Sequence, residues 1–269
     1  MPKQMTAAGS FDARLIEAQI HVRRIPSDAP WDWLAAGWRD LWAAPNVSLA
    51  YGTTFAVLAL ALTVGLISFG LQSLLLALCG GFLLIGPLVG VGFYEASWRF
   101  ERGLPVTIAT VILAGLKAPG QLGFFGAVLA FAYGVWLQLA MLMFMLFMGS
   151  RGLPPASEFV PTLLFTSHGL GLLVAGSAVG GVLALVVFSI SAISVPLLLT
   201  RRVDAVTAMA ASIEAIVKNP KPMALWAALI AGFIAVGTAT LFVGLVIAFP
   251  LIGHATWHAF RSLVVQNEP

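Results

Sequence analysis

Two imidazoles four residues apart, His254 and His258, stand where they could do chemistry. That spacing puts both rings on one face of a helix, the way a single helix offers two ligands to a metal ion. The string Pro250-Leu251-Ile252-Gly253 just before them has a counterpart in Pro87-Leu88-Val89-Gly90. Laying one proline on the other sets Glu95 level with His258 and Tyr94 level with Trp257. A set made of Glu95, His254 and His258 suits zinc or iron with open positions, or a proton relay. To hold zinc, with bonds of ~2.0–2.2 Å, the three heads would have to converge on one point. The competing use is anchoring, because rings with a polar handle collect where headgroups meet hydrocarbon. We read the histidines in that second way, with Trp257 as co-anchor, and expect no bound metal and no cofactor.

Other candidates weigh out similarly. Met141, Met145 and Met148 share a helical stripe, with Met143 beside it. Thioethers suit Cu(I), but methionine is also an ordinary filler of apolar gaps, and no His or Cys lies near in sequence. Ser189, Ser191, Ser194 and Thr200 could line a polar path; the expectation is that they bond back to helix carbonyls. Arg151 and Glu158 mark a solvated loop, and His168 an interface position. No Gly-x-Ser-x-Gly, phosphate loop, His-Glu-x-x-His or dinucleotide fingerprint is present, and the lone Cys79 cannot build a disulfide framework or a multi-cysteine metal site. The chain is not expected to be an enzyme.

The elements that would position these residues are membrane helices. Of 269 residues, 60% are hydrophobic and 9% charged, with a mean hydropathy of +0.98; soluble domains run near 45–50% and about 25%. Runs long enough to cross ~30 Å of hydrocarbon are read at Val47 to Gly70, Gln72 to Phe93, Gly123 to Met148 and about His168 to Leu199. The block from Met223 to Val264, cut near Gly237 and Thr238, supplies two more. Under this six-span reading, all but Arg151 of the fourteen Lys and Arg fall on one side. Both termini are therefore expected in the cytoplasm. A net charge of +3 is too small for a nucleic-acid footprint, so the expected partners are the lipid bilayer and a larger membrane complex.

An internal repeat organises the spans. Trp31, Leu34, Trp38, Leu41 and Trp42 make one apolar stripe of a helix capped at Ser27 or Asp28. They lie 14, 11, 7, 4 and 3 residues before Pro45; the same offsets before Pro220 give Val206, Met209, Ile213, Ile216 and Val217, and before Pro119 give Pro105, Ile108, Ile112, Gly115 and Leu116. Each proline precedes a span. The expectation is an all-α, polytopic six-span helical bundle of three hairpin repeats (27–103, 104–202 and 203–269), each led by an interfacial amphipathic helix, after a cytoplasmic segment 1–26. Trp31, Trp38, Trp42 and Trp257 are the expected interface anchors.

Several strings also resemble a known family: Glu17-Ala18-Gln19-Ile20 through Arg24, Asp204 to Met209, Lys218-Asn219-Pro220 with Trp226, and Pro250 through Gly253-His254-Ala255-Thr256-Trp257-His258. They are similar to the bacterial "domain of unknown function 2189" family of predicted integral membrane proteins. The resemblance implies a multi-pass protein of the bacterial inner membrane and no settled activity. Two functions are carried forward. One is a non-catalytic accessory, assembly or organising component, with a respiratory complex as the example partner; the other is a transporter or channel for a small or amphiphilic solute. Reporter fusions at the C-terminus and in the loop from Ser150 to Pro161 are expected to report opposite sides of the membrane, and a C-terminus outside the cell would sink the span count.

Overall fold

The computed structural model describes residues 20–71, 74–149 and 156–265. The N-terminal segment through residue 19, with Lys3 and Arg14, and the loop residues 150–155, with Arg151, lie outside the described residues. Every named element is helical, apart from one isolated antiparallel bridge between Val22 and Val264.

Four helices are long and apolar enough to cross a membrane. They are α2 (Pro45–Ser68), α6 (Pro119–Met148), α8 (Ser167–Ser191) running on into α9 (Ser194–Thr200), and α11 (Pro220–Ala239). Large apolar side chains such as Phe131, Leu146 and Val174 stand exposed along them. Apolar surface on that scale is unfavourable in water and costs nothing in lipid.

Two of the six expected spans take a different form. The second is divided: α3 (Leu74–Val89) contains Pro87 and stops, and α4 (Val91–Phe100) starts after Gly90. At 1.5 Å per residue α3 is about 24 Å long, short of the ~30 Å of a bilayer core. The sixth, α12 (Leu245–Leu263), carries His254, Thr256, His258 and Arg261 in its second half, too polar a stretch to count with the four. The expected loop up to Pro161 also becomes helical from Ala156, as α7 (Ala156–Phe165).

Three shorter segments precede three of the long helices. They are α1 (Ala29–Ala43), α5 (Ile108–Ile112) with the 3₁₀ turn Leu113–Lys117, and α10 (Ala205–Lys218). The expected cap at Asp28 is in place as the N-cap residue, without a side-chain bond, whereas Asp204 caps α10 through the Thr207 N–H. Each segment ends on a residue in the same backbone state: Ala44 at φ −141°, ψ 71°, Ala118 at φ −141°, ψ 58°, and Asn219 at φ −131°, ψ 55°. The cause is the next residue. A proline ring clashes with a helical predecessor, which ends one helix, and its own fixed φ starts the next. The predicted stripes are divided: Trp38, Ile112 and Ile213 are exposed, as are Trp42, Leu116 and Val217, but Leu34 and Leu41 turn into the core and Met209 and Ile216 pack half-buried against it.

The core is built from α4, α9 and α12. Val91 to Ser97 in α4, Ser194 to Leu198 in α9 and Ala248 to Trp257 in α12 are continuously buried. Close approach needs glycine at two points: a Cβ on Gly253 would stand 2.3 Å from the Phe93 ring, and one on Gly37 would stand 2.7 Å from the Ala255 nitrogen. Around this core α1 packs on α12, α5 on α4, and α10 on α8 and α9. The two outer segments of the described chain meet as well, since the Arg23 N–H donates to Leu263 O and the Val265 N–H to His21 O.

Asn219 ties this end together. Buried at the corner before Pro220, its Oδ1 accepts from the Ile25 N–H at 2.9 Å and its Nδ2 donates to the Arg23 carbonyl at 2.9 Å. Asn219→Ala orphans both backbone groups and is expected to cost about 1–3 kcal/mol, read as a lower melting temperature in detergent.

Candidate functional site

Five polar side chains form one line where α1, α2, α4 and α12 meet. His254 is fully buried, with its Nε2 3.0 Å from Ser48 Oγ and its Nδ1 2.8 Å from Ser97 Oγ. Ser97 in turn donates to Asp40 Oδ2 at 2.6 Å, and the same oxygen lies 2.8 Å from His258 Nε2. Proton counting orients the line. A carboxylate only accepts, so the single Ser97 proton goes to Asp40 and the His254 Nδ1 must donate to Ser97; the Nε2 of a neutral ring then accepts from Ser48. Exposure falls along it, from the half-buried His258 and Asp40 to the enclosed His254. Burial pushes the Asp40 carboxyl up, but hydrogen bonds from His258 and Ser97 and the pull of the two imidazoles outweigh it, so the group titrates below its ordinary value of 3.8.

Glu95 belongs to a different cluster. Only 2% exposed, its carboxylate accepts from Arg99 Nε at 2.8 Å and from Lys117 Nζ at 2.6 Å. Lys117 and Arg102 sit over the Trp98 ring, 4.2 and 4.3 Å from its centre. Glu95 thus faces the 3₁₀ turn, while both histidines engage Asp40 and the two serines. Among the described residues, no group of three or more His, Cys, Asp or Glu is placed to hold a metal.

The tryptophans divide as well. Trp31, Trp38 and Trp42 are 56, 46 and 48% exposed along one edge of α1, whose other side buries Trp33, Leu34 and Leu41. Trp257, expected beside them as an anchor, is 1% exposed and donates its indole N–H to Glu101 Oε1 at 2.8 Å. Glu101 also meets Arg261 at 3.2 Å, so a Trp at a helix end turns inward when an acceptor is fixed inside. His254, likewise expected at the headgroup level, is enclosed and packs against the Phe93 ring, 5.2 Å between centres. Ser189, Ser191, Ser194 and Thr200 all bond to carbonyls one turn back, and Ser194 reaches Ala208 O too. Met141 and Met145 are exposed and Met148 is buried, while Glu158 and His168 are exposed.

Sequence reasoning missed Asp40, Ser48 and Ser97, although counting from the prolines offers a signal. Five before each proline stand Asp40, Ala114 and Ala215; three after stand Ser48, Leu122 and Met223. In both sets the polar member is the odd one among buried apolar residues.

A cavity of about 510 Å³ lies elsewhere, bounded by α3, α4, α8, α11 and α12. No charged residue lines it, and none of the five residues of the polar line does. It separates α8 from α11, whereas α2 packs directly on α12 and α6 on α3.

The Asp40 geometry gives a pH test. A carboxyl that ionises more easily in the fold than in the unfolded chain stabilises above its unfolded value, and that contribution fades as the pH falls through the folded one. Asp40→Asn is expected to destabilise by about 1–3 kcal/mol at neutral pH. Its melting-temperature gap to the wild type should narrow as the pH drops below 3.8; a gap constant with pH would take the carboxylate charge out of the account.

No curated protein and no solved structure matches the chain. A family model does match, over a range that takes in Tyr94, Glu95, Ser97 and the α8 wall of the cavity, while Asp40, Ser48 and His254 fall outside it. The strings that carry the resemblance in the sequence all lie outside that range. Residues 74–200 match the family described as "predicted integral membrane protein (DUF2189)", and over that segment the chain resembles this family.

Proposed function

We propose that the protein is a non-catalytic component of the bacterial inner membrane, an accessory or organising subunit that works through what lies beside it in the bilayer. In this reading it is a six-span bundle of three hairpin repeats with both termini in the cytoplasm. The matched corners at Ala44, Ala118 and Asn219 support the repeat. So does the cyclic packing, in which each amphipathic segment rests on the second arm of the preceding hairpin. Arg23, Arg201 and Lys218 all bond to backbone of the paired outer segments or of α12, which supports gathering the basic residues at one face.

The observation that carries the reading is the character of the two interior features. The large cavity is apolar and uncharged, and the polar line is packed shut against Phe93. A transporter for a polar solute would want those properties exchanged, with polar groups lining the open space. An apolar recess bounded by membrane helices suits a neighbour or a lipid instead.

The full-length protein, extracted in mild detergent, is expected to co-elute with a respiratory complex, read from haem absorbance and identified subunits in the same peak. A protein that elutes alone and makes vesicles permeable to a small solute would replace this reading with the transporter.

A further inference from the structure

We propose that the cavity between α8 and α11 holds an acyl ester of a membrane glycerolipid, with the Tyr94 hydroxyl donating to the ester carbonyl. This rests on the reading of the recess as one that works toward the bilayer.

Three observations converge. Two of its walls, α8 and α11, are membrane-spanning helices, and they stand apart where the corresponding pairs of the other hairpins touch. Gly181 and Ala184 on one side and Ala227 and Ala231 on the other leave room for a chain, and about 510 Å³ falls in the range of about 300–1,000 Å³ of small-molecule sites. The third is a donor without an acceptor. Tyr94 is 4% exposed and lines the cavity, with its hydroxyl so near Gly90 that a Cβ there would come within 2.7 Å of it. Among the described residues the one fully buried side-chain nitrogen or oxygen without a partner is the Trp226 indole Nε1, on the α11 wall and packed edge-on against Trp33. The Tyr94 hydroxyl is the donor left for an occupant, since the Ser191 and Thr256 hydroxyls on the same walls already bond to Val187 O and Ile252 O.

These features select the ligand. It must be apolar along most of its length, uncharged where it is enclosed, and carry an acceptor at one level. The level is set by the chain: Glu95 and Arg99, with Lys117 beside them, follow Tyr94 within about two turns, at the end of the bundle where the basic residues gather. Ester carbonyls of glycerolipids lie between the headgroup and the hydrocarbon, at the depth of such a boundary. The charged headgroup stays outside, toward the basic residues.

The test uses the full-length protein in vesicles of phosphatidylethanolamine and phosphatidylglycerol, with a trace of phosphatidylcholine carrying a diazirine on one acyl chain. After irradiation, labelled peptides are mapped by mass spectrometry. Label is expected on the α8 and α11 walls, displaced better by a diester lipid than by the diether of the same chains. Tyr94→Phe, which removes one oxygen and keeps the ring, should cut that ester preference about three- to tenfold, with labelling of the outer surface at Phe131 and Val174 unchanged. Ala231→Trp should abolish wall labelling, and Ala227→Phe takes its place if that variant does not fold. Label no denser on the walls than on the outer surface overturns the site, and an ester preference that survives Tyr94→Phe overturns the donor. Either result with co-elution intact leaves the accessory reading standing; loss of co-elution with the walls still labelled removes that reading alone.

Discussion

The structure hangs on a restriction carried by three peptide units. Proline cannot follow a helical residue without a clash, so Ala44, Ala118 and Asn219 are each driven to the same extended corner. An apolar segment that might otherwise run on as one long helix is thereby bent at a set place. The piece before the corner stays at one end of the bundle, and the piece after it enters the hydrocarbon. With the corner fixed three times over, the outward stripes fall at equal distances from it, and the second arms are left free to meet at the centre. Phe93 against Gly253 and Ala255 against Gly37 are the contacts that result.

What could be read from the chain followed from how strongly lipid constrains it. Long apolar runs announce α2, α6, α8 and α11 because nothing else accounts for such stretches. The stripes before Pro45 and Pro220 were equally plain, since tryptophan and branched residues recur there at helical spacing. The breaks at Gly90 and near Ala192 were not, because composition stays apolar straight through both and only backbone geometry marks them. Trp257 and His254 went astray for a different reason. Residue type suggests a boundary position, but an indole or imidazole is content in the interior once Glu101, Ser48 or Ser97 supplies its partner, and those partners come from other helices. Tyr94 was placed level with Trp257, but nothing in its neighbours announces an empty space beside it.

The three corners are alike in backbone geometry, but the residues around them differ in polarity. Where α1 and α2 meet α12, positions that hold buried alanine, leucine or methionine at the other corners carry the half-buried Asp40, which meets Ser97 and His258, and the buried Ser48, which meets His254. A hydrogen-bonded line in that seam fixes partners by direction as well as by shape. Between α8 and α11 lies the apolar cavity instead. One seam is thus keyed, one packed and one left apart.

The bridge between Val22 and Val264 has a further consequence. Because residues 21–23 lie beside 263–265, α1 is held against the end of α12 by non-covalent pairing as well as by packing; in the three-hairpin reading that pairing closes the ring. The order of hairpins around the ring is then independent of where translation begins. A gene rearranged to start at a later hairpin, with a short linker joining the old ends, encodes the same set of contacts.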